Sequence, residues 1–151
     1  MLKRITFLSR PKAAALKPPA GCALISVHDR SERQLQPQPG WSRVLYLRFH
    51  DTDGGQMGLE VFSEAQAQQA LDFVRELGPD IDHLVIHCQA GQSRSAGLAL
   101  FFSETLSLPC FKDTLEVSSS SYKLYNRKVY GVLLRTADEE PQRRYLDWAG
   151  H

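Results

Sequence analysis

Short β-favouring runs alternate along this chain with segments of helical periodicity, and this alternation limits the possible folds more than any other feature. Four runs are predicted to be strands: 5–9, 22–27, 44–49 and 84–88. Four segments are predicted to be helices: 12–17, 63–77, 95–102 and 124–135. This order implies an α/β domain, with helices packed on a central, largely parallel sheet.

The whole chain is predicted to form one domain, because no repeat, heptad array or long linker divides it. Ser63 and Gln66 have the Ser-x-x-Gln spacing of a capping box at the start of the second predicted helix. Polar composition predicts that 30–40 and 138–151 are frayed and that 118–121 is a flexible connection. In the last predicted helix, three side chains are expected to face inward: Val129, Val132 and Leu133.

The charge balance argues against several classes of function. Eighteen Lys plus Arg against 17 Asp plus Glu give a formal net charge of +1, so we expect no general nucleic-acid binding. No stretch approaches the roughly 18 apolar residues of a membrane span, and the N-terminus lacks the apolar run of a signal peptide. We therefore expect no membrane partner. Three separated cysteines suit neither a disulfide framework nor a zinc ribbon, which favours a cytoplasmic protein.

The segment between the fourth predicted strand and the helix after it carries the chemistry. Cys88 ends the strand, five residues follow, and Arg94 stands where the helix begins. Gly91 allows the chain to curl so that backbone N–H groups of the loop and of the helix N-terminus surround one anion. The planar fork of Arg94 can hold two phosphate oxygens, and the same positive field stabilises a thiolate at Cys88. Cys88 is therefore a candidate nucleophile at neutral pH.

His87-Cys88-x5-Arg94-Ser95 resembles the His-Cys-x5-Arg-Ser/Thr motif of the cysteine-dependent protein tyrosine phosphatases, most nearly the compact dual-specificity-like branch and its small bacterial relatives. The resemblance implies a phosphatase-like fold with a phosphate loop between a strand and a helix. It implies that Cys88 attacks phosphorus, Arg94 holds the oxygens, Ser95 assists the thiolate as leaving group and His87 orients the thiol. The remaining loop residues would bind the phosphate: Gln89, Ala90, Gly91, Gln92 and Ser93.

The resemblance also calls for a general acid some tens of residues before the cysteine. Asp51 and Asp53 follow the third predicted strand, and Asp51 is preferred because it stands nearer the strand end. Both could instead be solvated turn residues. The resemblance implies that Asn126 braces the phosphate loop, and an ordinary cap of the last helix is the alternative. His50 has no second histidine at ligand spacing, so no metal is expected there. No other cofactor is expected.

Several functions remain open at this point. The expected activity is metal-independent hydrolysis of phosphotyrosine, or also phosphoserine and phosphothreonine, in a protein or peptide, with phosphate or vanadate as active-site anions. A phosphoprotein-binding module without turnover is the alternative, as is a phosphatase of RNA 5′ ends or of another small phosphate ester. The five-residue spacing disfavours a rhodanese-like carrier, and the absence of basic residues at 89–93 disfavours an inositol-lipid substrate. Asp29 and Arg30 are predicted to be surface loop, and Cys22 and Cys110 to be inert thiols rather than disulfide partners of Cys88.

Overall fold

The computed structural model describes the backbone of residues 1–149 and the side chains of residues 1–140. Within that part, strands and helices alternate as the sequence indicates. The strands are β1 (Arg4–Ser9), β2 (Cys22–His28), β3 (Arg43–Arg48), β4 (His83–Cys88), β5 (Cys110–Lys112) and β6 (Leu115–Val117). The helices are α1 (Arg10–Ala15), α2 (Glu64–Arg75), α3 (Arg94–Leu106) and α4 (Arg127–Ala149).

The strands form one sheet in the order β3-β2-β4-β1-β5-β6, and only the β5–β6 pair is antiparallel. The predicted α/β class with a largely parallel sheet is therefore confirmed. Cys88, the last residue of β4, pairs with Ser9, the last residue of β1. Because β4 returns to lie between β1 and β2, the strand order reverses at its carboxyl end. In open α/β sheets, that is where a ligand crevice forms.

The two faces of the sheet are covered unequally. Apolar side chains from β1, β2 and β4 pack against α2, α3 and α4 in the larger core, whose centre contains Phe7, Ile25, Ile86, Leu98 and Leu133. The other face carries a smaller cluster of Ala13, Leu24, Leu35 and Val85 beneath α1 and the 30–40 segment. Each fully buried large aliphatic or aromatic side chain contributes about 1.5–3 kcal/mol. The larger core therefore includes the buried side of α3, the helix that follows Cys88.

A local sequence signal explains the start of α2. The Ser63 side chain accepts from the Gln66 backbone N–H, and the Gln66 side chain accepts from the Ser63 N–H, so the predicted capping box is confirmed. The three expected inward side chains of α4 are buried: Val129, Val132 and Leu133. The first helix begins directly after β1, earlier than predicted. It spans Arg10–Ala15 rather than 12–17.

Other predictions need correction. Strands β5 and β6 were not predicted, because three residues each are too few to show a period. The last helix begins three residues later than predicted and continues through Ala149. The predicted fraying of 138–151 falls partly on residues 150 and 151 and on side chains from 141 onward, which lie outside the described part. Leu35 is buried, so the 30–40 segment packs on the sheet although it has no regular structure.

Within the described residues, no helix combines the length and the apolar character needed to cross a lipid bilayer.

Candidate active site

Loops from three neighbouring strands meet above the carboxyl end of β4. Strand β2 ends at His28 and leads to Asp29 and Glu32, whereas β3 ends at Arg48 and leads to Asp51. Because parallel strands end at the same edge, residues far apart in sequence come together there. The loop of residues 88–94 lies at the centre of this edge.

Gly91 sets the path of the 88–94 loop. Its φ of +68° lies in the left-handed region, and a Cβ at this position would approach the Ser9 backbone nitrogen to 2.3 Å. The loop therefore lies directly against the junction between β1 and α1, where the Arg10 N–H donates to the Gln89 carbonyl at 3.1 Å. Only glycine meets both requirements without displacement of the backbone.

The loop carbonyls point towards groups outside the loop. The Gln92 carbonyl accepts from the Tyr122 hydroxyl at 2.7 Å, and the Ser93 carbonyl accepts from the backbone N–H groups of Asn126 and Gly97 at 3.0 and 2.9 Å. Among the described residues, none supplies an acceptor to the backbone N–H groups of residues 89–93. The first turn of α3 adds further donors that have no partner within the helix. These donors and the helix dipole make the loop suited to an anion.

The Cys88 thiol lies on the inner side of this loop. Its Sγ is 3.1 Å from the Ser95 Oγ in the first turn of α3, and both residues are at most 2% exposed. Burial, followed by the negative charge of Cys88, raises the pKa of the Tyr122 hydroxyl above its ordinary value. Since a thiolate only accepts, the Ser95 hydroxyl is the donor in this contact when Cys88 is ionised.

Arg94 is buried and paired. Its Nη1 donates to Glu32 Oε1 at 3.2 Å and to the Phe49 carbonyl at 3.1 Å, and its Nη2 donates to Glu32 Oε2 at 3.4 Å. Burial opposes the charge of Arg94, but the Glu32 hydrogen bonds and the negative charges of Cys88, Glu32 and Asp29 outweigh it and raise the pKa of the guanidinium. Arg94 is therefore held as a fixed cation at the loop.

The donors left on Arg94 form one edge of its guanidinium. Both Nη1 hydrogens and one Nη2 hydrogen are used by Glu32 and Phe49, whereas Nε and the second Nη2 hydrogen have no acceptor among the described residues. Nε–H and this Nη2–H point in the same direction, so they can together grip two oxygens of one tetrahedral anion.

His87 is completely buried on the face of the sheet opposite Cys88. Its Nε2 is 2.6 Å from the Ser26 Oγ, and its Nδ1 is 3.3 Å from the Cys88 carbonyl. Burial lowers the pKa of His87 to about 4, so the ring is neutral at pH 7. Since a carbonyl only accepts, Nδ1 carries the hydrogen and Nε2 accepts from Ser26. His87 thus fixes the peptide that carries the cysteine.

The structure brings Asp51 to the loop. Asp51 Oδ1 accepts from the Ser93 hydroxyl at 2.7 Å and from Asn126 Nδ2 at 2.8 Å, whereas Oδ2 has no partner among the described residues. Asp53 is exposed and accepts from the Gly55 backbone N–H, as in an ordinary turn. One carboxyl oxygen of Asp51 is anchored and the other is available to carry a proton.

Asn126 combines the two roles that the sequence left open. Its side-chain oxygen accepts from the Val129 N–H and caps α4, and its amide nitrogen donates to Asp51 and to the Thr52 carbonyl. Its backbone N–H also donates to Ser93. The start of α4 is thereby joined both to the 88–94 loop and to the Asp51 loop.

The other two cysteines lie away from Cys88. Cys22 pairs in register with His83, five residues along β4 from Cys88, which places it about 16 Å away along the strand. Cys110 pairs with Ile5, which itself pairs with residue 84. Because a disulfide needs Cα atoms within about 7 Å of each other, neither cysteine is placed to pair with Cys88. Burial raises the pKa of both thiols, that of Cys110 to about 12.

No group of three His, Cys, Asp or Glu side chains in the described part could hold a metal ion. His50, the one residue considered for a metal pair, accepts from the Glu60 backbone N–H through Nδ1 at 2.8 Å.

Sequence reasoning missed Glu32 and misplaced Asp29. Asp29 lies 3.8 Å from Arg94, and although burial opposes its charge, hydrogen bonds from Ser31 and the charge of Arg94 lower the pKa of its carboxyl. It is therefore part of the site rather than plain surface loop, whereas Arg30 is exposed as predicted. The available signal was an acidic pair directly after β2, at the sheet edge that holds Cys88.

Tyr122 and Ser26 were also missed, since each contacts the loop or His87 from a distant part of the chain. Comparison of the chain with models of known protein families gave no match, and comparison with curated proteins gave no significant one.

Proposed function

We propose that this protein is a cysteine-dependent phosphomonoesterase of the protein tyrosine or dual-specificity phosphatase type. The observation that carries the proposal is the joint placement of a Cys88–Ser95 contact and a fixed Arg94 at one loop rich in free N–H groups. A thiolate nucleophile, a cationic fork and a nearby carboxyl cover the needs of phosphoryl transfer to sulfur.

In the first step, the Cys88 thiolate attacks phosphorus and forms an S–P bond. The bond from phosphorus to the ester oxygen breaks, and that oxygen takes a proton from Asp51. Arg94 and the loop N–H groups hold the three remaining oxygens, whose negative charge needs stabilisation during the transfer. The products are a phosphocysteine and the free alcohol or phenol.

In the second step, water attacks the phosphocysteine. Asp51, now ionised, takes a proton from the water as the new P–O bond forms and the S–P bond breaks. The Ser95 hydroxyl donates to the departing sulfur, which returns as a thiolate. Inorganic phosphate leaves, and the proton balance of the site is restored.

The competing function is a binding module that captures a phosphoprotein in the same loop without turnover. The position of Asp51, within hydrogen-bond reach of Ser93, favours the enzyme, because capture alone needs no proton donor. A phosphorylated protein or peptide is the substrate class we favour over an RNA 5′ end or a multiply phosphorylated lipid headgroup. The loop residues 89–93 contain no Lys or Arg to neutralise several further phosphates.

The deciding experiment is hydrolysis of p-nitrophenyl phosphate in EDTA by the wild-type protein and by Cys88→Ser. We expect turnover by the wild type that is stopped by vanadate and lost in the variant. Absence of turnover by the wild type, combined with measurable affinity for a phosphopeptide, would show a binding module instead.

A further inference from the structure

An open cleft of about 400 Å³ lies beside Asp51, on the side of the Asp51 loop that faces the start of α4. It is joined to the 88–94 loop by the hydrogen bonds that Asp51 and Asn126 make with Ser93. Seven residues line it: Asp51, Thr52, Asp53, Gln56, Asn126, Arg127 and Lys128. A substrate whose phosphate occupies the loop would have its neighbouring groups at this cleft.

Arg127 and Lys128 give the cleft two positive charges that form no direct ion pair with a described residue. Neither side chain forms an ion pair or hydrogen bond within the described part of the chain. The Arg127 guanidinium lies 4.6 Å from the centre of the Tyr125 ring, which holds it by a cation–π contact. By contrast, Arg30 and Arg48 pair with Glu60 at 3.6 and 3.2 Å.

The backbone positions of Arg127 and Lys128 are fixed relative to the 88–94 loop. They are the first two residues of α4, directly after Asn126, which caps the helix and bonds to Ser93 and Asp51. The positive end of the helix dipole adds to their field. An anionic group a short distance from the phosphate would therefore meet two cations whose backbone positions are fixed relative to the 88–94 loop.

We propose that this cleft selects peptide substrates with an acidic side chain close to the phosphorylated residue. The inference rests on the proposed phosphatase function and names its substrate class. Two carboxylates, Asp51 and Asp53, balance the two cations of the cleft, so it offers no net attraction to a row of nucleic-acid phosphates, whereas a single carboxylate can pair with Arg127 and Lys128. The exposed Gln56 also lines the cleft, and its amide can both donate to and accept from a peptide backbone.

The test compares phosphotyrosyl peptides that carry Asp or Ala at positions up to three residues on either side of the phosphotyrosine. We expect kcat/KM to favour the best acidic peptide about five- to tenfold over its alanine partner at low salt, with the ratio falling as salt rises. In Arg127→Gln/Lys128→Gln the ratio should approach 1. The control Lys17→Gln/Arg135→Gln removes the same charge outside the cleft and should keep the wild-type ratio.

The outcomes separate this inference from the proposed function. Turnover of p-nitrophenyl phosphate that depends on Cys88, with an acidic-to-alanine ratio near 1, overturns the cleft assignment alone. So does a preference for a 5′-phosphorylated oligoribonucleotide that is lost in Arg127→Gln/Lys128→Gln. If the wild type has no turnover, the affinities of the Cys88→Ser protein for the same peptides decide: a five- to tenfold preference lost with the two cations supports the cleft, and equal affinities overturn it.

Discussion

Both carboxylate oxygens of Glu32 accept hydrogen bonds from the guanidinium of Arg94, at 3.2 and 3.4 Å. The two side chains are 17% and 7% exposed, so the pair is largely removed from water. The Phe49 carbonyl takes the remaining Nη1 hydrogen. Together these acceptors fix the orientation of the guanidinium, so that its free Nε–H and Nη2–H point in one direction. Glu32 is therefore a positioning residue for the group that we expect to hold phosphate.

Glu32→Gln should weaken this positioning while keeping the shape of the side chain. We expect kcat/KM to fall by about 10²-fold, because a small displacement of the group that stabilises the transition state is costly. The matched control is Glu76→Gln, which removes a carboxylate from the exposed pair with Arg43 and should have almost no effect. The vanadate inhibition constant supplies the second readout. An unchanged constant in a folded Glu32→Gln protein would contradict the assigned role.

Arg94→Lys should remove most activity although the charge is kept. An ammonium group cannot bond Glu32, the Phe49 carbonyl and two phosphate oxygens together, as the planar fork can. The loss in the rate of phosphoenzyme formation should reach about 10³-fold or more, and pre-steady-state release of p-nitrophenol measures it. Arg48→Lys, at an exposed ion pair, is the control. Near-normal formation of the phosphoenzyme by Arg94→Lys would show that Arg94 does not hold the phosphate.

The sequence predicts most reliably the parts of the site that depend on local spacing. Cys88, Gly91 and Arg94 lie within seven residues of each other between a strand and a helix, so their proximity follows from the two elements alone. Asp51 was also predicted, because the phosphatase resemblance calls for an acid upstream of the cysteine and a residue directly after a strand can face the loop. The contact of Asp51 with Ser93 meets that expectation about the structure. Its role in catalysis stays a prediction.

Glu32 shows where such reasoning stops. It is 62 residues from Arg94 and lies in a segment without regular structure, so no periodicity marks it. The polar composition of 30–40 favoured a frayed loop, but burial of Leu35 against the sheet fixes the segment. The same limit applies to Tyr122, whose hydroxyl reaches the loop from 30 residues away. Contacts of this kind depend on tertiary packing rather than on local preference.

Iodoacetate should alkylate Cys88 in preference to the other cysteines. Burial raises the pKa of the Cys22 and Cys110 thiols and keeps them protonated, whereas Cys88 faces the Ser95 hydroxyl and the loop donors. The anionic reagent should also react faster at Cys88 than neutral iodoacetamide, relative to a free thiol, because the loop attracts anions. Mass spectrometry over time measures each site, with vanadate as the protecting ligand. Equal labelling of all three cysteines, or no protection by vanadate, would refute the anion-binding loop.

The neutral state of His87 predicts a pH dependence of stability. Its pKa is about 4 in the folded protein against an ordinary value of 6.5, so the unfolded chain binds more protons between these values. His87 should therefore contribute its full share of the free energy of unfolding, up to about 3 kcal/mol, above pH 6.5. This contribution should decrease as the pH drops towards 4. His83 acts in the same direction, since burial also lowers its pKa to about 4. The free energy of unfolding, measured by urea titration at several pH values from 7 to 4.5, should fall less steeply with decreasing pH in His87→Gln than in the wild type. The same dependence on pH in both proteins would argue against a buried neutral ring.

Asp51→Asn should separate proton donation from the structural role of this side chain. Asparagine keeps an oxygen that accepts from Ser93 and Asn126, so the loop geometry is retained while the acidic proton is lost. We expect kcat for phenyl phosphate to fall by about 10²–10⁴-fold, and the alkaline limb of the pH profile to disappear. The loss should be smaller for p-nitrophenyl phosphate, because its leaving group needs less protonation. Asp53→Asn is the matched control, since Asp53 lines the same cleft but bonds only to its own turn. If Asp53→Asn produces the large leaving-group-dependent loss and Asp51→Asn does not, the general acid is Asp53, and the anchoring of Asp51 serves only to hold the loop.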